Sequence, residues 1–129
     1  MKTLIKSRVL SRWFRAAMLF LALPASAWAH AFLDHADPAV GSTNATSPIE
    51  VKAWFTQKLE LAFSTLVVND DKGAQVDKKD AHLDPKNAQL FIVSLPTLPP
   101  GTYTVVWHAV STDTHKTDGT FKFTIKPKS

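Results

Sequence analysis

Hydrophobic and polar residues alternate along much of the chain after residue 30, which is the pattern of half-buried β-strands. Segments rich in β-branched and aromatic residues recur at short intervals, at 49–55, 62–69, 89–95, 102–110 and 120–126. The alternation is clearest in the last two of these segments. We therefore predict a β-strand over each segment.

Turn-forming residues separate the predicted strands: Asp37-Pro38, Asp70-Asp71-Lys72-Gly73, Pro99-Pro100-Gly101 and Asp118-Gly119. No segment after residue 30 shows a sustained helical period. The residues around His35 and the polar stretch 78–87 are predicted to be loops, the latter with at most a short irregular turn. Many short strands separated by turns predict an all-β chain of one domain, an antiparallel Greek-key β-sandwich with an immunoglobulin-like shape.

Aromatic side chains on the predicted strands are expected to pack in the core rather than to form a binding face. They are Trp54, Phe55, Phe63, Trp107, Phe121 and Phe123. The cysteines and the spaced tryptophan of antibody domains are missing, so the immunoglobulin likeness concerns architecture only.

Residues 1–29 have the three parts of a secretory signal peptide. A basic start precedes the apolar run 16–23, Pro24 ends that run, and residues 25–29 offer an Ala-x-Ala cleavage site. The run is far shorter than the roughly 20 residues that span a bilayer. We expect cleavage after Ala29, with Ala27 as the next candidate, so that residues 30–129 form the mature domain.

The leader also accounts for the positive charge of the chain. The formal net charge is +4, from 15 basic and 11 acidic residues. Five basic residues and no acidic residue precede residue 30, which leaves 10 basic and 11 acidic side chains in the mature domain. A nucleic-acid partner is therefore not expected.

Sulfur is missing from the predicted mature domain. The chain has no Cys, and its two Met are Met1 and Met18. This composition excludes disulfides, zinc-thiolate and iron–sulfur sites and thioether ligands for Cu(I).

Cleavage after Ala29 would place a free α-amine on His30. The amine and the imidazole Nδ1 of an N-terminal histidine can close a chelate ring around one metal ion. The reference pKa of an α-amine is near 7.7–8, so a metal ion can displace its proton near neutral pH. In the uncut chain the same nitrogen is an amide and is not a ligand of this kind.

The segment Ser111-Thr112-Asp113-Thr114-His115 is the sharpest local signal in the sequence. Asp113 and His115 are two residues apart, so in an extended segment both side chains would point to one side. In a sandwich the N-terminus can lie beside late loops, and His30 could join the pair. The resulting set of three nitrogens and one oxygen suits Cu(II) in a plane, whereas Zn²⁺ favours a tetrahedron.

The remaining histidines are weaker candidates. We expect His108 to be a structural or hydrogen-bonded strand residue, His35 to be solvated or an outer group of the metal site, and His82 to be a bystander. A catalytic Ser111-Asp113-His115 triad is disfavoured, because no nucleophile elbow surrounds the serine and the three residues lie within one short loop.

The chain resembles the copper-resistance protein CopC family over essentially the whole mature domain. The residues that carry this resemblance are His30-Ala31-Phe32-Leu33, Asp37-Pro38-Ala39, Phe55-Thr56, Lys58-Leu59-Glu60, Pro100-Gly101-Thr102-Tyr103-Thr104-Val105-Val106-Trp107, Val110-Ser111-Thr112-Asp113-Thr114-His115 and Gly119-Thr120-Phe121-Lys122-Phe123.

The resemblance implies a periplasmic β-sandwich that binds Cu(II) through His30, Asp113 and His115. Two departures stand out. The chain lacks the Met-rich loop with which some members bind Cu(I), and it has Gln57 where members often have an acidic residue, so neither a Cu(I) site nor an extra carboxylate is expected.

These features predict a non-catalytic, monomeric carrier or buffer that takes one Cu(II) per chain in copper resistance or homeostasis. The resemblance further suggests a CopD-type transporter of the inner membrane as its partner. Two other functions stay open: a histidine-brace copper oxygenase, and a metal-independent interaction module of sandwich shape.

Overall fold

The computed structural model describes residues 31–129, which form β-strands joined by turns. The strands are β1 (Leu33–Asp37), β2 (Thr43–Asn44), β3 (Glu50–Phe55), β4 (Thr65–Asn69), β5 (His82–Asp84), β6 (Asn87–Ser94), β7 (Gly101–Val110) and β8 (Lys116–Ile125). One 3-10 turn, Leu61–Phe63, precedes β4. The predicted leader, residues 1–29, and His30 lie outside the described residues.

The strands form two four-stranded sheets, in the orders β1-β3-β6-β5 and β2-β8-β7-β4. All neighbours are antiparallel except β2 and β8, which run parallel. The first order corresponds to strands A-B-E-D of an immunoglobulin domain, and β4, β7 and β8 correspond to its C-F-G sheet. The predicted single-domain, immunoglobulin-like β-sandwich is confirmed.

Alternating burial fixes which face of each strand meets the other sheet. In β3 every second residue is buried, beginning with Val51, and in β7 the odd-numbered residues from 103 to 109 are buried. Phe91, Phe123 and Leu66 are the largest side chains at the fully buried centre. Burial of this kind stabilises each such side chain by about 1.5–3 kcal/mol.

The five predicted strands correspond to β3, β4, β6, β7 and β8. Two loop predictions were wrong: residues around His35 form β1, and β5 lies within the polar stretch 78–87. Both strands lie at the edges of their sheet. An edge strand is held by backbone hydrogen bonds to a single neighbour, and these need no hydrophobic side-chain pattern. The two-residue β2 was also not predicted.

Four of the six aromatic residues expected in the core are buried there: Phe55, Trp107, Phe121 and Phe123. The prediction was wrong for the other two. Trp54 lies on the outward face of β3, where its ring stacks on His35 with centroids 4.4 Å apart. Phe63 belongs to the 3-10 turn and is 66% exposed. Presence on a strand alone does not decide burial, because successive side chains point to opposite faces.

Two contacts fix the position of β7, the strand that leads into the Asp-x-His segment. The hydroxyl of Tyr103 donates to the Pro99 carbonyl at 2.6 Å, as in the tyrosine corner of immunoglobulin-like domains. Further along, the Trp107 ring lies across Gly119 of β8, where an added Cβ would come within 2.3 Å of the ring. Glycine is therefore required at that position for Trp107 to pack as it does.

Within residues 31–129, no helix has the length and hydropathy needed to cross a bilayer.

Candidate metal centre

The β7–β8 loop, residues 111–115, is closed by backbone hydrogen bonds around Ser111. The Ser111 amide donates to the His115 carbonyl at 2.9 Å, and the Thr114 amide donates to the Ser111 carbonyl at 2.9 Å. The His115 amide donates to the Ser111 hydroxyl at 3.2 Å. These contacts turn the chain back on itself and bring Asp113 and His115 to the outside of a compact turn.

Residues before the 3-10 turn anchor this loop to the rest of the fold. Leu59 and Ser111 form an antiparallel β-bridge. The Thr112 amide donates to the Lys58 carbonyl at 3.0 Å, and the Glu60 amide donates to the Val110 carbonyl at 2.8 Å. The loop is therefore held on both sides, by its own turn and by a neighbouring segment.

Asp113 and His115 face each other across this turn. The distance from Asp113 Oδ2 to His115 Nδ1 is 3.2 Å, and the side chains are 54% and 25% exposed. Two atoms bonded to one ion at about 2 Å lie about 2.8 Å apart at a right angle and about 3.3 Å apart at a tetrahedral angle. The pair is therefore spaced to take neighbouring positions around a single metal ion.

The charge of Asp113 is stabilised within the loop. A hydrogen bond from the Ser111 hydroxyl lowers the pKa of this carboxyl below its ordinary value, burial raises it, and the adjacent His115 lowers it further. The net direction is downward, because hydrogen bonding and positive charge both favour the ionised form. A metal ion would therefore meet a carboxylate that is already deprotonated.

The pairing of Asp113 with His115 agrees with the sequence analysis, but the stated reason for it was wrong. The segment is a turn rather than an extended strand, and Thr114 between the two residues has a φ of 73°. That left-handed conformation is unfavourable for a β-branched residue. The surrounding hydrogen bonds hold Thr114 there, and the turn brings the two side chains together.

The start of the described chain is attached next to this loop. Ala31 is fully buried, and its carbonyl accepts a hydrogen bond from the Thr117 hydroxyl at 2.5 Å. Phe32 is held twice by Thr56: its amide donates to the Thr56 hydroxyl at 3.0 Å, and its carbonyl accepts from the Thr56 amide at 2.9 Å. Residue 31 is thereby placed beside a residue only two positions beyond His115.

The third predicted ligand residue, His30, lies outside the described residues. Within 31–129, no group of three or more His, Asp or Glu side chains is arranged to hold a metal ion. The described part of the chain thus contributes the pair Asp113 and His115 alone to the predicted site.

The other histidines have roles in keeping with their lower ranking. His108 in β7 pairs through Nδ1 with the Asp118 carboxylate of β8, which confirms a hydrogen-bonded strand histidine. The Nδ1 atom of His82 lies 2.8 Å from the Asp80 carbonyl. His35 bonds to Asp34 at 2.7 Å while stacking on Trp54, so it is exposed but not free in solution.

Sequence reasoning missed two residues that organise this region. The sequence analysis considered Ser111 only as a catalytic nucleophile. In the structure its hydroxyl donates to Asp113 Oδ1. Thr117, which holds residue 31, was not singled out. The Ser-x-Asp spacing was a usable signal, because a serine hydroxyl readily bonds a carboxylate two residues away. Nothing local to Thr117 indicates a partner 86 positions earlier.

Fold and loop together define a class of protein: a small immunoglobulin-like β-sandwich that holds an aspartate and a histidine at the end where its described chain begins. The family model described as the CopC domain matches residues 33–126 of the chain. The chain therefore belongs to the CopC family, and the resemblance noted in its sequence is confirmed.

Named relatives agree with this assignment. Copper resistance protein C of Escherichia coli is 32% identical over 127 residues, which is 92% of this chain and 98% of that protein. Copper transport protein CutJ of Bacillus subtilis is 31% identical over 117 residues, which is 89% of this chain but 22% of the longer protein. The crystal structure of CopC from Methylosinus trichosporium OB3b matches with a TM-score of 0.72 and 30% identity, over 78% of this chain and 97% of that one.

Proposed function

We propose that the mature chain begins at His30 and carries one Cu(II) as its cargo in the periplasm. The ligands are the α-amine and Nδ1 of His30, an oxygen of Asp113 and an imidazole nitrogen of His115. The protein acts in copper resistance or homeostasis as a non-catalytic, monomeric carrier or buffer. It passes the ion to a copper transporter of the membrane, of the CopD type.

The single observation that carries this proposal is the hydrogen bond between Thr117 and Ala31. Consecutive Cα atoms are about 3.8 Å apart, and Ala31, the residue that follows His30 in the sequence, is held against Thr117. His115 is two residues before that point. This attachment supports a free amine at position 30 as a partner of the Asp113–His115 pair.

Ligand chemistry supports Cu(II) as the ion. Two imidazoles, an amine and a carboxylate are nitrogen and oxygen donors, for which Cu(II) heads the affinity order of the divalent first-row metals. Thioethers, which favour Cu(I), are missing from residues 30–129. The relative named for copper resistance points to the same metal.

A carrier fits this donor set better than an enzyme. Four protein donors in one plane leave no equatorial position for oxygen, which a histidine-brace oxygenase needs. The handover step is supported by the relative named a copper transport protein, which is similar to this chain over 22% of its own length. A CopC-like segment within a transport protein would keep the carrier next to its acceptor.

The test is a Cu(II) titration of the protein produced with His30 as its first residue. We expect one tight equivalent and a tetragonal EPR spectrum. Acetylation of the His30 amine turns it into an amide and should weaken binding by at least about 100-fold, since a chelate ring is lost. His115→Ala should do the same, and affinity should fall between pH 7 and 4.5 as protons compete for the nitrogens.

His82→Ala is the matched control, because this exposed imidazole lies on edge strand β5 and contacts the Asp80 carbonyl rather than the β7–β8 loop. It should bind copper as the wild type does. Equal binding by His115→Ala and His82→Ala, or full binding by the acetylated chain, would rule out the proposed site.

A further inference from the structure

Ser111 has a fully buried side chain whose hydroxyl touches both residues of the metal pair. Its Oγ contacts Asp113 Oδ1, receives the His115 amide hydrogen at 3.2 Å and lies 3.4 Å from the His115 carbonyl. A hydroxyl has one hydrogen to donate. The carboxylate is the stronger acceptor and the closer one, so the hydrogen goes to Asp113.

The two carboxylate oxygens of Asp113 therefore have different partners. Oδ1 is held by Ser111, and Oδ2 is the oxygen that lies 3.2 Å from His115 Nδ1. Without the hydroxyl, a side chain that is 54% exposed would be free to rotate about its χ angles. With it, one oxygen is fixed inward and the other is directed at the position that a shared metal ion would occupy.

We propose that Ser111 is the positioning residue of the copper site: its hydroxyl fixes Asp113 as a ligand through Oδ2 alone. The inference rests on the proposed function and assigns a residue that is not itself a ligand. Hydrogen-bond partners of metal ligands typically change metal affinity by 10–100-fold. We expect Ser111→Ala to weaken Cu(II) binding within that range.

The neighbouring Ser64 offers a matched control. It is also buried, its hydroxyl donates to the Glu60 carbonyl at 2.8 Å, and it accepts from the Val110 amide at 3.0 Å. Ser64 therefore stabilises the same end of the sandwich by hydrogen bonds to the backbone, but it has no hydrogen bond to Asp113. Ser64→Ala should lower stability to a similar degree and change copper affinity by less than about threefold.

A double-mutant cycle separates positioning from a general structural role. Ser111→Ala is measured in the wild-type chain and in Asp113→Ala, with Cu(II) alone as the probe. We expect a loss of about 10–100-fold in the first background and at most about threefold in the second. The Cu(II) EPR hyperfine splitting of Ser111→Ala should shift toward that of Asp113→Ala, whereas Ser64→Ala should keep the wild-type spectrum.

Equal losses for Ser111→Ala in both backgrounds, or equal effects of the two serine variants, would overturn the inference. The proposed function would stand in that case, provided that binding still depends on His115. NMR of the metal-free wild-type chain gives a test that needs no variant. The Ser111 hydroxyl proton should exchange slowly and couple to the Asp113 carboxyl carbon, and a rapidly exchanging, uncoupled proton would contradict the assignment.

Discussion

The β4–β5 loop and the β7–β8 loop each fold around an aspartate, but they use its carboxylate differently. Asp77 in the β4–β5 loop is only 8% exposed. It accepts hydrogen bonds from the Val68 amide at 2.8 Å, the Lys79 amide at 2.7 Å and the Gln75 side chain at 3.1 Å on both oxygens. Both carboxylate oxygens of Asp77 therefore accept hydrogen bonds from the chain itself.

Asp113 in the β7–β8 loop is more exposed, and its two oxygens contact two different side chains. Ser111 bonds one oxygen, and the other faces the imidazole of His115 at an exposed turn. The comparison shows what separates a structural carboxylate from one suited to a ligand. Burial and a full set of donors make Asp77 part of the scaffold, whereas exposure and an oxygen that faces the His115 imidazole are the features on which the proposed ligand role of Asp113 rests.

The largest expected effect is on stability, from Asp77→Ala. The substitution leaves the buried Val68 amide without its acceptor, and a buried donor left unsatisfied costs about 1–3 kcal/mol. We expect the free energy of unfolding to fall by about 1–3 kcal/mol in urea denaturation. Copper affinity of the folded fraction should not change, and a parallel loss of affinity would break the distinction between the two loops.

The next effect is on binding, from Asp113→Asn. The amide keeps an oxygen that can accept from Ser111 but has no charge to offer a metal ion, so Cu(II) affinity should fall by at least about 30-fold. The free energy of unfolding of the metal-free chain should change much less than in Asp77→Ala, because the side chain is largely exposed. A loss of stability comparable to that of Asp77→Ala would mean that Asp113 is structural too.

The smallest effect concerns the metal-free chain at low pH. The folded-state pKa of Asp113 is lowered, so its interaction with Ser111 stabilises the fold above the unfolded pKa of about 3.9. This contribution is lost as the pH falls through the lowered folded pKa. In Ser111→Ala the pKa of Asp113 should move up toward its ordinary value, as measured by carboxyl ¹³C shifts, and an unchanged titration would contradict the hydrogen bond.

Much of the fold could be predicted because its strands follow the period of two. In β7 and β8 a regular alternation of large and small side chains indicates which face of the strand is buried. The edge strands β1 and β5 could not be found in this way, because backbone pairing with β3 and β6 holds them rather than a hydrophobic face. The prediction that Trp54 packs in the core was wrong, because its residue type alone does not indicate which face of the strand it occupies.

For the candidate site, residue types and spacing singled out Asp113 and His115 as a pair of donors and His30 as a potential chelator. The tertiary structure decided the rest: the turn that brings Asp113 to His115, the buried hydroxyl of Ser111 between them, and the bond from Thr117 that holds Ala31 beside the loop. The ligand chemistry of a residue is a property of its side chain, so it can be inferred from the sequence alone. Proximity between residues 86 positions apart depends on how the strands pair, and only the folded sandwich determines it.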